Sequence, residues 1–154
     1  DRFLDSPPTS RNEVLASLMR RFRICEERGS GVDKIVAETE RHQLPGPLFE
    51  VPPGFTRAVL FAPRPLASMD RGERIRACYL HACLRYVQRG FLTNTSLRER
   101  FRIEAKNSAI ASRLIREAVE SGTLLPFDPG ASRQQMKYIP WWALGGAPAA
   151  GKTP

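Results

Sequence analysis

The sequence has little of the chemistry from which most metal and redox sites are built. Its 154 residues include three cysteines and two histidines. Cys25, Cys78 and Cys83 lack CxxC spacing, and their odd number suits free thiols in a reducing compartment. His42 and His81 lie far apart in the sequence, without a nearby ligand set. These absences argue against a metal centre and against a disulfide framework.

Long apolar runs are also missing, so we expect no association with a membrane. No segment approaches the roughly 20 apolar residues that span a bilayer. The N-terminal sequence DRFLD lacks the features of a signal peptide. We therefore expect a cytoplasmic protein, and the absence of an initial Met indicates a fragment or a processed chain.

Positive charge is present in excess, and it is distributed unevenly. Residues 1–63 carry nine basic and nine acidic residues, whereas residues 64–154 carry fifteen basic and seven acidic residues. A basic field on one folded unit is the electrostatic footprint of a nucleic-acid binder. A solvated basic surface would give the same count, so charge alone leaves both interpretations open.

The strongest internal boundary is at Pro63 and Pro65, because proline disfavours helix before it and interrupts strand ladders. We therefore predict an α+β chain with three parts: residues 1–63, residues 64–144, and a flexible tail over 145–154. In the first part we predict helices over Asn12–Phe22 and Val32–His42, followed by a hairpin. In the first helix the apolar residues form one stripe, which contains Leu15, Leu18, Met19 and Phe22.

The second part follows the order of a winged helix-turn-helix domain. Apolar spacing predicts a helix over Asp70–Arg89, a short helix over Ser96–Phe101, and a third helix that begins at Asn107 or Ser108. Two strands near residues 124–127 and 136–141 then form a hairpin. We expect one residue of the pair Trp141 and Trp142 to lie in the core.

The third helix is the candidate recognition helix, since it has an apolar side and a short, cationic side. We predict duplex DNA binding by this helix and by the basic hairpin. The predicted contacts are Lys106, Ser112, Arg113, Arg116, Arg133 and Lys137. Two alternatives remain. In the first, Arg113 pairs with Glu117 and Arg116 pairs with Glu120, and this side of the helix is an ordinary solvated surface. In the second, the domain binds proteins instead of DNA.

Two glycine-containing segments could bind phosphate. Gly146–Thr153 satisfies the phosphate-loop pattern GxxxxGK[ST], but only Pro154 follows, so no helix can present its amides, and we interpret the match as accidental. Arg28, Gly29, Ser30 and Gly31 could cradle an anion, although a turn between two helices is the favoured interpretation. For that turn we predict a positive φ, or no room for a Cβ, at Gly29 or Gly31.

The segment PPTSRNEVLA, followed by EERGSGV, resembles the C-terminal region of the RecG-like putative transcriptional regulators. The resemblance covers residues 3–62, and Glu13 departs from it by standing where the family usually has proline. It implies a bacterial protein in which a Schlafen/AlbA-type domain precedes a degenerate GHKL-like ATPase domain and a winged helix. Residues 1–63 would then be the ATPase remnant.

The resemblance also implies a function. It suggests a transcriptional regulator that binds double-stranded DNA and has no catalytic or metal-binding residues in this chain. ATP would be a cofactor only of a longer parent protein, and residues 28–31 would be the remnant of its nucleotide site. One alternative is part of a nucleotide-dependent ATPase completed by upstream sequence. The other is an interaction module whose winged helix forms a homodimer.

Overall fold

The computed structural model describes residues 4, 9–25, 31–132 and 135–144. Within these residues the chain has five α-helices and two antiparallel hairpins, which confirms the α+β class. In chain order the elements are α1 (Glu13–Arg21), α2 (Gly31–Arg41), β1 (Leu48–Glu50), β2 (Arg57–Val59), α3 (Arg71–Val87), α4 (Asn94–Phe101), α5 (Ser108–Glu120), β3 (Leu124–Pro126) and β4 (Tyr138–Pro140).

Helix α1 begins where the sequence predicts, but it buries no side chain. Asn12 caps it, with the side-chain oxygen accepting a hydrogen bond from the Leu15 amide at 3.0 Å. The apolar stripe is exposed to solvent: α1 buries none of its side chains, and Phe22 is 69% exposed. Leu15 and Leu18 are about half exposed. Periodicity shows that an apolar stripe exists but not whether another element covers it.

Helix α2 packs against α3 and joins the two parts of the chain. A shared core contains residues from both sides of Pro63: Leu4, Val36, Leu80, Cys83, Leu84 and Trp142. The loop after α2 also lies close to α3, because a Cβ added at Gly46 would be 3.1 Å from the Ala77 Cα. As predicted, one tryptophan, Trp142, is buried, whereas Trp141 is only half-buried.

A second core lies among α3, α4, α5 and β3, and local capping signals fix where these helices begin. Its buried members are Cys78, Ala82, Leu92, Leu97, Ala111, Leu114, Ile115, Ala118 and Leu124. Asp70 forms a capping box with Glu73 at the start of α3, and Thr93 forms one with Ser96 at the start of α4. Because Thr93 is the cap, α4 begins at Asn94, two residues earlier than predicted.

The hairpin of β3 and β4 gains a third backbone segment. Leu124 pairs with Pro140, and Leu125 pairs with Ile139. Leu92, in the connection between α3 and α4, exchanges both backbone hydrogen bonds with Tyr138, at 3.1 and 2.9 Å. The hairpin is therefore tied to the base of the helical part.

The connection between the two parts lies against α3. The Phe61 ring sits between two guanidinium groups, with Arg64 at 5.6 Å and Arg76 at 5.2 Å from its centroid. The Nε of Arg76 also donates a hydrogen bond to the Gly46 carbonyl at 3.1 Å. These contacts hold the residues around Pro63 in place, so this connection is an ordered part of the fold.

Several predictions concern glycines or the tail. Gly31 begins α2 without a positive φ, and a Cβ there would meet nothing within 4 Å, so the prediction is wrong for Gly31. Arg28, Gly29, Ser30 and the 146–153 segment lie outside the described residues. A short 3-10 helix, Trp141–Leu144, stands directly before the predicted tail. None of the described helices is long and apolar enough to cross a membrane.

Candidate nucleic-acid interface

Helix α5 separates an apolar side from an exposed polar side, as its sequence predicts. Its buried residues are Ala111, Leu114, Ile115 and Ala118. Ala109, Ser112, Arg113 and Arg116 are exposed. The small side chains and the arginines therefore share a solvent-facing surface, which is the pattern required of a helix that enters a major groove.

The two arginines of this surface are free of the ion pairs that the alternative interpretation requires. Glu117 instead lies near α3, with its Oε2 4.0 Å from the Arg71 Nε. In the part of the chain that the structure describes, no acidic side chain lies within ion-pairing distance of Arg113 or Arg116. Both guanidinium groups can therefore meet an incoming anion without first breaking an intramolecular pair.

Lys106 lies just before α5, on the short 3-10 helix Ala105–Asn107, and is paired. Its Nζ is 2.7 Å from the Glu104 Oε2, and both side chains are largely exposed. An exposed pair of this kind contributes about 0–1 kcal/mol. Lys106 can therefore exchange Glu104 for a phosphate at little cost.

Ser112 takes part in a hydrogen-bonded cluster that links α4 to α5. The Asn94 Nδ2 donates to the Ser112 Oγ at 2.9 Å and to the Ser108 carbonyl at 3.0 Å. The Arg98 Nε donates to the Asn94 Oδ1 at 3.0 Å. The sequence prediction missed Asn94 and Arg98 because it began the short helix at Ser96, which hides their i,i+4 spacing.

Of the two basic hairpin residues predicted to contact DNA, the structure describes Lys137. Arg133 lies outside the described residues. The Lys137 side chain is exposed, and its Nζ stands 5.0 Å from the centroid of the Phe91 ring, which in turn packs against Phe127 at 4.6 Å. Lys137 thus belongs to an aromatic cluster where β3 and β4 meet the strand-like segment before α4.

A buried polar cluster, which sequence reasoning also missed, joins α2 to α3 and α4. The His81 Nδ1 lies 2.9 Å from the Glu40 Oε2, and the Arg100 Nε lies 3.6 Å from the Glu40 Oε1. Arg100 also donates to the Leu44 carbonyl at 2.7 Å. Burial lowers the pKa of the Arg100 guanidinium, and the charge of Glu40 opposes that effect. We call Glu40, His81 and Arg100 the interhelical ion cluster.

Glu40, His81 and Ser96 are arranged like the acid, base and nucleophile of a catalytic triad. The His81 Nδ1 faces Glu40, and its Nε2 lies 3.2 Å from the Ser96 Oγ. Ser96 is already engaged, however. Its Oγ accepts from the Thr93 amide at 3.0 Å and donates to the Thr93 carbonyl at 3.2 Å. Both Ser96 and His81 are buried, at 8% and 6% exposure. A buried capping serine cannot reach a substrate, so we assign the arrangement to folding.

Comparison with known proteins bears on the first part of the chain. A family model described as "Putative ATP-dependent DNA helicase recG C-terminal" covers residues 1–60. Those residues match that family. The match supports the RecG-like, ATPase-type part of the resemblance and ends three residues before Pro63, so α3, α4 and α5 lie outside it. No curated protein and no solved structure matches the chain.

Proposed function

We propose that α3, α4, α5 and the β3–β4 hairpin form a winged helix-turn-helix domain that binds duplex DNA through α5. The order of elements supports this assignment, as does the Leu92–Tyr138 pairing that ties the hairpin to the helices. The observation that carries the proposal is the exposed side of α5, where Arg113 and Arg116 stand without acidic partners in the described chain.

The chemistry of this surface suits DNA. A guanidinium fork can bind the O6 and N7 of guanine, or a phosphate, through paired hydrogen bonds. Ala109 lies on the same side as Arg113 and is small enough to allow close approach to a base edge. Lys106 then adds a phosphate contact at the start of the helix. The excess of basic residues after residue 63 favours association through the general electrostatic field.

Fluorescence anisotropy of the whole chain with labelled duplexes, over a salt series, tests the proposal. We expect binding that weakens with salt, with log K falling by about 0.9 per phosphate contact for each unit of log salt. A double variant, Arg113→Gln with Arg116→Gln, should bind at least about tenfold more weakly if either arginine reads a base.

Arg21→Gln with Arg41→Gln is the matched control, because it removes two exposed arginines from α1 and α2. This control variant should bind the preferred duplex with the affinity of the wild type. No binding at low salt, or an unchanged Arg113/Arg116 double variant, would refute the proposal and favour a protein-docking domain.

A second candidate is part of a nucleotide-dependent ATPase. The match of residues 1–60 to an ATP-dependent helicase family bears on this candidate more directly than on DNA binding. We propose that this chain alone neither binds nor hydrolyses ATP, because no catalytic acid–base or nucleophile–base pair is recognisable in its sequence. Calorimetry with Mg-ATP and a phosphate-release assay should give no saturable signal. A stoichiometric signal lost in Lys152→Ala would make the chain a nucleotide-binding protein.

A further inference from the structure

We infer that Asn94 and Arg98 form a preorganised phosphate-binding element beside α5, in which Asn94 positions the Arg98 guanidinium for one phosphate of duplex DNA. This inference rests on the proposed DNA-binding function and adds a contact that lies on α4. The hydrogen-bonded chain from Ser112 through Asn94 to Arg98 carries it, and we call this chain the α4–α5 clamp.

Contacts at both ends of Asn94 fix the place of Arg98. The Asn94 amide nitrogen reaches Ser112 Oγ at 2.9 Å and the Ser108 carbonyl at 3.0 Å, both on α5. Its amide oxygen accepts from the Arg98 Nε at 3.0 Å. Arg98 therefore lies one side chain away from Ser112, at the edge of the exposed side of α5.

The Arg98 guanidinium is held but not neutralised. Its Nε is bound by Asn94, and its Nη2 makes a long contact of 3.4 Å with the Thr95 Oγ1. Within the described residues, no acidic side chain pairs with it. Both of its partners are uncharged, and the side chain is half-buried rather than free in solvent.

The other arginines of the helix-turn-helix provide a contrast. Arg100 is buried against Glu40 and faces away from solvent. Arg113 and Arg116 are exposed, and no hydrogen bond is seen for their guanidinium groups in the described chain. They must lose side-chain freedom on binding, whereas Arg98 has already lost most of its own. Immobilising a flexible side chain on binding reduces the binding free energy. An arginine that is already held in place therefore binds a phosphate with a smaller loss of conformational entropy.

The inference predicts an energetic link between the two residues. Arg98→Gln should lower the slope of log K against log salt by about 0.9, the loss of one phosphate contact. Asn94→Ala should weaken binding about 2–12-fold, the cost of immobilising one such side chain. In the Arg98→Gln background, the same Asn94 substitution should have almost no effect, because there is no guanidinium left to position.

A merely structural role for Asn94 gives a different result, because loosening α4 against α5 would weaken binding equally in both backgrounds. Arg85→Gln is the charge-matched control on α3, and it should leave the salt slope unchanged. Thermal melts followed by circular dichroism establish that each variant is folded.

The outcomes separate this inference from the proposed function. Wild-type binding that depends on Arg113 and Arg116, together with an unchanged salt slope in Arg98→Gln, overturns the clamp and leaves the function standing. An Asn94→Ala effect of equal size in both backgrounds also overturns the positioning role. Absence of DNA binding by the wild-type chain overturns both proposals together.

Discussion

Removing the charge of Glu40 should destabilise the whole chain, because this carboxylate is the counter-charge of the buried Arg100 and also contacts the buried His81. The Glu40 side chain is 14% exposed, whereas the side chains of His81 and Arg100 are 7% and 1% exposed. Glu40→Gln keeps the size of the side chain and one acceptor oxygen. It leaves Arg100 buried without a counter-charge, and two nitrogens of that guanidinium already lack hydrogen-bond partners.

The magnitude follows from the geometry of the ion pair. At the 3.6 Å separation of Arg100 Nε and Glu40 Oε1, an effective dielectric constant of about 20 gives an attraction of about 4–5 kcal/mol. Breaking a buried pair by removing one partner costs about 3–5 kcal/mol in measured cases. We therefore expect Glu40→Gln to lower the free energy of unfolding by about 3 kcal/mol, a large share of the 5–15 kcal/mol typical of a domain.

Urea unfolding of the whole chain, followed by circular dichroism, measures this effect. Glu38→Gln is the matched control, since Glu38 lies on the same helix and its contacts with Arg41 and His42 join exposed side chains. The control should change the free energy of unfolding by less than about 0.5 kcal/mol. Adding Arg100→Met to Glu40→Gln should recover part of the loss, because it removes the uncompensated charge.

The reasoning would be refuted by a Glu40→Gln variant within about 0.5 kcal/mol of the wild type. It would equally be refuted if Arg100→Met, added to Glu40→Gln, destabilised the chain as much as it does in the wild-type background. Either result would mean that the interhelical ion cluster is solvated rather than buried.

Further predictions concern the thiols and the apolar side chains. Only the exposed Cys25 should react quickly with a thiol reagent in the native chain, and Cys78 and Cys83 should react after unfolding, because both are buried and burial raises their pKa. The pKa of Cys83 rises from 9.0 to about 12, so the unfolded thiol ionises first, and Cys83 by itself should lower the free energy of unfolding by about 1.4 kcal/mol per pH unit over that window. Cys78 adds to this fall, so the share of Cys83 is the difference between the wild type and Cys83→Ala in an alkaline urea titration. Leu18→Ala, on the exposed side of α1, should cost less than about 1 kcal/mol, whereas Leu97→Ala, in the core, should cost about 2–5 kcal/mol by the same unfolding assay. Equal costs for the two leucines would show that α1 is covered in solution.

The α+β class and the approximate helix bounds could be predicted because local signals specify them. Asn12 and Asp70 cap helices through contacts three residues away, and such contacts are visible in a short window of sequence. The exposed side of α5 was predictable for the same reason, since the 3.6-residue period places Arg113 and Arg116 opposite Leu114 and Ala118.

The remaining features depend on residues that are distant in the sequence. Glu40 lies 41 residues before His81, and no local pattern indicates that the two side chains meet. The exposure of the α1 stripe could not be predicted, because periodicity carries no information about whether a neighbouring element covers the stripe. Asn94 was missed for a local reason, namely that Thr93 begins its helix earlier than the apolar spacing indicates.

The shared packing of α2 and α3 has a consequence for how this sequence could be recombined with others. A gene fusion that joined residues 64–144 to an unrelated partner would leave behind Val36 and the carboxylate of Glu40, and with them the cover over Leu80 and the counter-charge of Arg100. Helices α3, α4 and α5 would then have an exposed core at Leu80 and a buried Arg100 without a counter-charge. A break near residue 30 keeps Val36 and Glu40 with the helices that follow, although it leaves behind Leu4 of the shared core. A recombination boundary that preserves the Glu40–Arg100 ion pair therefore lies before α2, and not at Pro63 and Pro65.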